Sequence, residues 1–179
     1  LFSKNKIIPT GLLALLVLKS KGFSIGEREE NNLKDFFKYL PIIKKNKNII
    51  IPLDMAFDIN GKRKEFDNGN FPNSYFALDI GSKTISIFEK EIKNAKYIFW
   101  KGTAGNCSVP NFSKGTKKLL HAIEKSKAYS IISGGHSETA LKKYKINPKK
   151  IGYISLSGGA LVHYISGKKL PGLDALKIK

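Results

Sequence analysis

Tyr129-Ser130-Ile131-Ile132-Ser133-Gly134-Gly135-His136-Ser137 is a short apolar run that stops on paired glycines. Such a run reads as a buried strand and the glycines as a sharp turn. An amphipathic stretch, residues 139–144, follows as a helix. The same order of strand and glycine turn occurs on either side. Tyr97-Ile98-Phe99-Trp100 leads into Lys101-Gly102-Thr103-Ala104-Gly105, and residues 151–156 lead into Ser157-Gly158-Gly159-Ala160. Residues 82–94, 116–127 and 160–166 carry helical spacing. Strands taking turns with helices through short connections predict an α/β, three-layer Rossmann-like domain with a mainly parallel sheet.

Toward the N-terminus the pattern continues less regularly. Ile7-Ile8 is a strand stub, punctuated by Pro9-Thr10-Gly11, and residues 12–19 are a buried helix closed by Gly22 and Gly26. Leu33, Phe36 and Phe37 give residues 31–39 a helical face. Residues 48–53 are rich in Ile and read as a strand. Residues 58–75, full of Gly, Asn and Asp, read as a loop or hairpin with Asn60-Gly61 as its turn. Residues 76–79 are a short strand. One domain is expected over residues 1–179. The first residue is not Met, so a processed, truncated or partly observed chain is expected.

The chain has 179 residues, 32 Lys+Arg and 14 Asp+Glu, a formal charge of +18. With 41% hydrophobic residues it has enough apolar material for a core, which excludes wholesale disorder. So basic a domain suits a polyanion: nucleic acid, a membrane surface or an acidic partner. A genome bias toward Lys, Asn and Ile explains the excess of Lys over Arg, but not the shortage of acids. The single cysteine, Cys107, excludes an internal disulfide framework. His121, His136 and His163 are too far apart for a metal-binding spacing. Residues 7–18 are too short an apolar stretch to span a bilayer, which takes ~20 residues, and no cleavage pattern makes them a signal peptide.

Ligands of a parallel sheet bind beyond the C-terminal ends of its strands. The three glycine turns fall there, where the backbone approaches a phosphate closely and a following helix offers free N–H groups. They define an anion or nucleotide cleft.

At these turns the chain resembles the C-terminal, nucleotide-binding domain of phosphoglycerate kinase. Leu78-Asp79-Ile80-Gly81-Ser82-Lys83-Thr84 is similar to LDIGPKT, Phe99-Trp100-Lys101-Gly102 to FWNGP, and Asn111-Phe112-Ser113-Lys114-Gly115-Thr116 to NFAKGT. Ile132-Ser133-Gly134-Gly135-His136-Ser137 resembles IGGGDS, residues 154–160 resemble VSTGGGA, and residues 167–173 resemble GKELPGV. Order and spacing hold from about residue 7 onward. The resemblance implies nucleotide or phosphate contacts at Gly11, Gly102, Gly105, Ser133, Gly134, Gly135, His136, Ser137, Ser157, Gly158 and Gly159. It also implies Mg-ADP or Mg-ATP as the ligand wherever the family activity survives, and transfer of phosphate between 1,3-bisphosphoglycerate and ADP.

Several positions depart from the family pattern. The turn near the adenine, GGGMA, reads Thr10-Gly11-Leu12-Leu13-Ala14. Lys101 replaces Asn, Ser108 replaces the ribose-binding Glu, and His136 replaces the Asp that holds the metal of the nucleotide. The sequence also begins after the family's GAKVSDK segment and lacks its N-terminal substrate domain. These departures imply a vestigial site, no catalytic residue and no cofactor, and a non-catalytic domain acting as a structural or interaction subunit. The expected partner is RNA or an acidic protein in a large, for example mitochondrial or ribosomal, assembly, with mitochondrial placement favoured over cytoplasmic. The polyanion contacts expected are Lys44, Lys45, Lys47, Lys62, Arg63, Lys64, Lys117, Lys118, Lys142, Lys143 and Lys145. The alternative is a divergent phosphoglycerate kinase whose missing parts lie elsewhere.

Overall fold

The computed structural model describes residues 5–176. They form an α/β chain of two compact units, residues 5–91 with 103–119, and residues 92–102 with 120–176. Each unit has its own three-stranded sheet.

The first unit begins with α1 (Gly11–Ser20), whose residues Ala14 to Leu18 are all buried. A helix apolar on every side belongs inside a core. The expected helix over residues 31–39 is broken into α2 (Glu27–Leu33), a 3₁₀ turn (Lys34–Tyr39) and α3 (Leu40–Lys45). Pro41 explains the break. It lies in the first turn of α3, where its missing N–H costs nothing, whereas in a continuous helix its ring would strike the carbonyl of Phe37. The expected strands at residues 7–8 and 48–53 appear only as an isolated parallel bridge between Ile7 and Ile49.

The sheet of this unit is antiparallel, in the order β2-β1-β3, with β1 (Asp54–Ile59), β2 (Lys62–Asp67) and β3 (Ala77–Ile80). Asn60 and Gly61, with φ of 53° and 77°, form the hairpin turn that their sequence predicts. The Asp58 carboxylate accepts the Gly61 N–H at 2.7 Å. Phe57 is fully buried and meets Phe66 edge-on and Phe71 at a tilt. The helix α4 (Ser82–Asn94) is capped from another element: the Asp54 carboxylate on β1 accepts the N–H groups of Lys83 (3.0 Å) and Thr84 (2.8 Å). Gly81 makes room for it, because a side chain there would overlap the Asp54 carboxylate.

The second unit holds the parallel sheet, in the order β4-β5-β6, with β4 (Tyr97–Lys101), β5 (Tyr129–Ser133) and β6 (Tyr153–Ser155). The connections carry α5 (Lys114–Lys125) and α6 (Gly135–Lys143), and α7 (Gly159–Ile165) and α8 (Pro171–Ala175) follow β6. Ser130 and Ile132 of β5 are fully buried. Among the described residues no helix is long and apolar enough to cross a membrane.

Candidate functional site

Three loops leave the C-terminal ends of β4, β5 and β6, and two serines tie them together. The Ser137 hydroxyl accepts the Gly102 N–H at 3.0 Å and lies 2.9 Å from the Ser133 carbonyl, to which it donates. The Ser133 hydroxyl donates to the Ser157 carbonyl at 2.8 Å, and the Gly134 N–H donates to the Ser155 carbonyl at 2.8 Å. Both serines are fully buried. They fix the register of all three loops, and buried hydroxyls with partners are stable where unpartnered ones are not. The only tryptophan, Trp100, reports on the first loop through a 2.7 Å hydrogen bond from its indole N–H to the Gly102 carbonyl.

The glycines of these loops differ in purpose. Gly134 (φ 96°) and Gly102 (φ 81°) adopt the left-handed conformation that side chains disfavour. Gly134 and Gly158 also touch, since a Cβ on Gly158 would lie 3.5 Å from the Gly134 Cα. Gly135 and Gly159 open α6 and α7, and a Cβ on either would meet nothing within 4 Å. Space therefore lies in front of two adjacent helix starts. The N–H groups of Gly135, His136, Gly159 and Ala160 make no hydrogen bond among the described residues. Unclaimed N–H groups and the positive helix end are what a phosphate requires. Ser133, Gly134, Gly135, His136, Ser137, Ser157, Gly158, Gly159 and Gly102 thus come together in the second unit.

Gly11 and Gly105 belong to the first unit. Gly11 (φ 54°) starts α1, next to the exposed Leu12 and Leu13. Gly105 is held by packing: a side chain there would overlap the Phe112 carbonyl and the Asp79 carboxylate. A groove of about 360 Å³ in this unit is walled by Tyr75, Phe76, Leu78, Asp58 and Arg28, with the Arg28 guanidinium 4.0 Å from the centre of the Phe76 ring. The Asn106 N–H donates to the Leu78 carbonyl at 2.7 Å, which sets the Gly105 turn beside that wall.

Arg63 does not face solvent as a polyanion contact. Its guanidinium donates to Asp79 (2.9 Å), the Ile80 carbonyl (2.8 Å) and the Asn111 carbonyl (3.0 Å), and pairs with Glu65. Asp79 is fully buried and also accepts the Gly115 and Ile80 N–H groups at 2.9 Å. Burial raises the Asp79 carboxyl above its ordinary value, opposed by the Gly115 bond and by Arg63. The remaining lysines are exposed: Lys44 and Lys45 on α3, Lys62 and Lys64 on β2, Lys117 and Lys118 on α5, Lys142 and Lys143 on α6, and Lys47 and Lys145 in loops. Lys142 pairs with Glu138 at 2.7 Å one turn earlier on α6.

A family model for phosphoglycerate kinase matches residues 1–168. The chain belongs to the phosphoglycerate kinase family. It is 38% identical to the phosphoglycerate kinase of Methanothermus fervidus over 182 residues, covering 98% of this chain and 44% of that one. It is 36% identical to that of Elusimicrobium minutum, covering 96% and 46%. The crystal structure of phosphoglycerate kinase from Pyrococcus horikoshii superposes with a TM-score of 0.87 at 30% identity, covering 97% of this chain and 45% of that one. The chain thus spans less than half the length of the relatives it matches.

His136 stands where the resemblance gives a carboxylate, and Mg²⁺ favours oxygen donors over imidazole. Among the described residues no group of three or more His, Cys, Asp or Glu is placed to hold a metal.

Proposed function

We propose that this chain is the nucleotide-side half of a phosphoglycerate kinase and binds the phosphates of ADP or ATP at the turns after β5 and β6. The observation that carries this reading is the pair of touching glycine turns, with open space before Gly135 and Gly159 and unclaimed N–H groups facing it. Backbone groups do this work, so the side-chain departures at His136 and Ser157 leave it in place. Identities of 36–38% to phosphoglycerate kinases over nearly the whole chain add support. Phosphate transfer between ADP and 1,3-bisphosphoglycerate further requires that the second substrate be held beside the nucleotide, a task for polypeptide outside this half.

The second reading is a non-catalytic domain that keeps the fold and contacts RNA or an acidic protein. The exposed Leu12 and Leu13, at the turn the resemblance assigns to the adenine, favour it. A calorimetric titration with ADP separates the two. The first reading expects saturable binding, with about 2.7 kcal/mol of added stability at a hundredfold excess over Kd. Gly159→Asp places a negative charge in open space without strain and is expected to abolish that binding while the fold persists. Absence of any ADP binding by the parent chain, together with salt-sensitive RNA binding, would establish the second reading instead.

A further inference from the structure

The stretch Lys34-Asp35-Phe36-Phe37-Lys38-Tyr39-Leu40-Pro41-Ile42-Ile43-Lys44-Lys45-Asn46-Lys47 carries two apolar ridges where a surface helix needs one. Its 3₁₀ turn and α3 place residues three apart on the same side. One ridge, Phe37, Leu40 and Ile43, is half-buried. α3 packs on α1, and the Lys19 ammonium of α1 lies 5.7 Å from the centre of the Phe37 ring. The other ridge points outward: Phe36 is 45% exposed, Tyr39 46% and Ile42 70%. A surface helix of a globular protein turns its apolar stripe to the core and polar side chains to water. Here the outer side is apolar as well.

Lysines surround the outer ridge. Lys34, Lys38, Lys44, Lys45 and Lys47 are all exposed, against a single acidic residue, Asp35, in the whole stretch. The Lys38 ammonium lies 5.4 Å from the centre of the Tyr39 ring, so a charge sits beside the ridge. Lys21 donates to the Lys44 carbonyl at 3.3 Å and adds a further cation at the C-terminal end of α3, where free carbonyls favour one. Exposed apolar side chains rimmed by charge mark a contact surface, and the composition of this one narrows the partner. A partner made only of phosphates would meet the lysines and leave Ile42, the most exposed of the three, in water. A basic helix with bulky apolar side chains on its outer side matches an interface that is anionic above and hydrocarbon below.

We propose that residues 34–47 form a docking surface for an anionic lipid bilayer. Phe36 and Ile42 enter the boundary between headgroups and acyl chains, to a depth of about 5–10 Å. Tyr39 keeps its hydroxyl at headgroup level, and the lysines meet the lipid phosphates and carboxylates. The contact is peripheral, made by three side chains and their flanking charges. It is independent of ADP binding, because the ridge shares no residue with the turns after β5 and β6.

Sedimentation of the purified chain with lipid vesicles tests this. Vesicles of phosphatidylcholine alone are compared with vesicles in which about a third of the lipid is phosphatidylserine. Binding is expected to the anionic vesicles only. It is expected to fall steeply with salt, which shortens the reach of the lysines from about 10 Å at 0.1 M to about 3 Å at 1 M. Ile42→Glu and, independently, Phe36→Glu are expected to lower the partition coefficient about tenfold or more; both side chains are already exposed, and circular dichroism checks that each variant is folded. Lys44→Gln combined with Lys45→Gln is expected to lower it about tenfold or more. Lys149→Gln combined with Lys150→Gln, an equal loss of charge on the 3₁₀ turn before β6, is expected to change it by less than about twofold. Absence of binding to anionic vesicles at low salt overturns the proposal. Equal losses for the two lysine pairs overturn it as well, because net charge rather than the ridge then drives adsorption. So does unaltered vesicle binding in Ile42→Glu, including the case where that variant instead loses self-association and a second copy is what covers the ridge.

Discussion

Arg63 and Asp79 in the antiparallel sheet, and Ser133 and Ser137 at the end of the parallel one, are both buried polar groups with several partners. Their surroundings differ. The Arg63–Asp79 pair packs against Phe112, Gly105 and Gly115, with the Asp79 side chain fully buried and that of Arg63 largely so. The two serines brace loops whose outer surface is open and whose backbone N–H groups are unclaimed. Buried polarity in the first unit holds a scaffold, and in the second it braces the loops proposed above to bind phosphate. The difference predicts that damage to one costs stability alone, while damage to the other also costs ligand affinity.

The sharpest way to break that contrast is Arg63→Ala. It leaves the buried Asp79 carboxylate unpaired, and losing one partner of a buried pair costs about 3–5 kcal/mol. A fall of that size in the denaturation midpoint, with unchanged ADP affinity in the fraction that remains folded, is expected. Ser137→Ala comes next. It strips the Gly102 N–H of its acceptor, at about 1–3 kcal/mol, and here calorimetry should show ADP affinity falling along with stability. Equal affinity in Ser137→Ala and the parent chain would erase the distinction between the two regions.

A smaller effect concerns Glu29 of α2. Burial raises its carboxyl above the ordinary value, against the lowering effect of the Ala77 N–H, which it accepts at 2.7 Å. A carboxyl raised on folding binds more protons in the native state than in the unfolded one. Its contribution is therefore fully present below the unfolded value of 4.5 and is lost as pH rises through the raised value. Glu29→Gln is expected to flatten that decline, measured as unfolding free energy from pH 4 upward; an unchanged slope counts against it. The smallest effect is Lys142→Ala, which removes an exposed pair one turn apart on α6. About 0.3–0.5 kcal/mol is expected by urea denaturation, reduced further by salt.

Legibility followed hydrophobic contrast. The strands β4, β5 and β6 and the helix α4 stand within two residues of their expected limits, because apolar runs or helical spacing end there on Gly, Asn or Lys. β2 is legible only as one arm of the hairpin that Asn60-Gly61 offers as an alternative to a loop, since Lys-Arg-Lys-Glu-Phe-Asp has almost no apolar alternation and is held by pairing with β1. Its turn, Asn60-Gly61, was nonetheless readable. At the site the glycine turns were visible, but the ties through Ser133 and Ser137 were not, because a hydroxyl's partner across 24 or 35 residues leaves no local trace. Arg63 misled for the same reason: its charge is plain in the sequence, and the carboxylate that takes it up lies 16 residues away.

The indole of Trp100 sits at the mouth of the first loop, and the chain contains no other. Its emission therefore arises from one place, at the end of β4 beside Gly102. Any event that displaces that carbonyl, such as an anion settling on the turns, alters the polarity around a single fluorophore. The protein carries one intrinsic optical probe at the end of β4, so that changes at the first loop can be followed in unlabelled material.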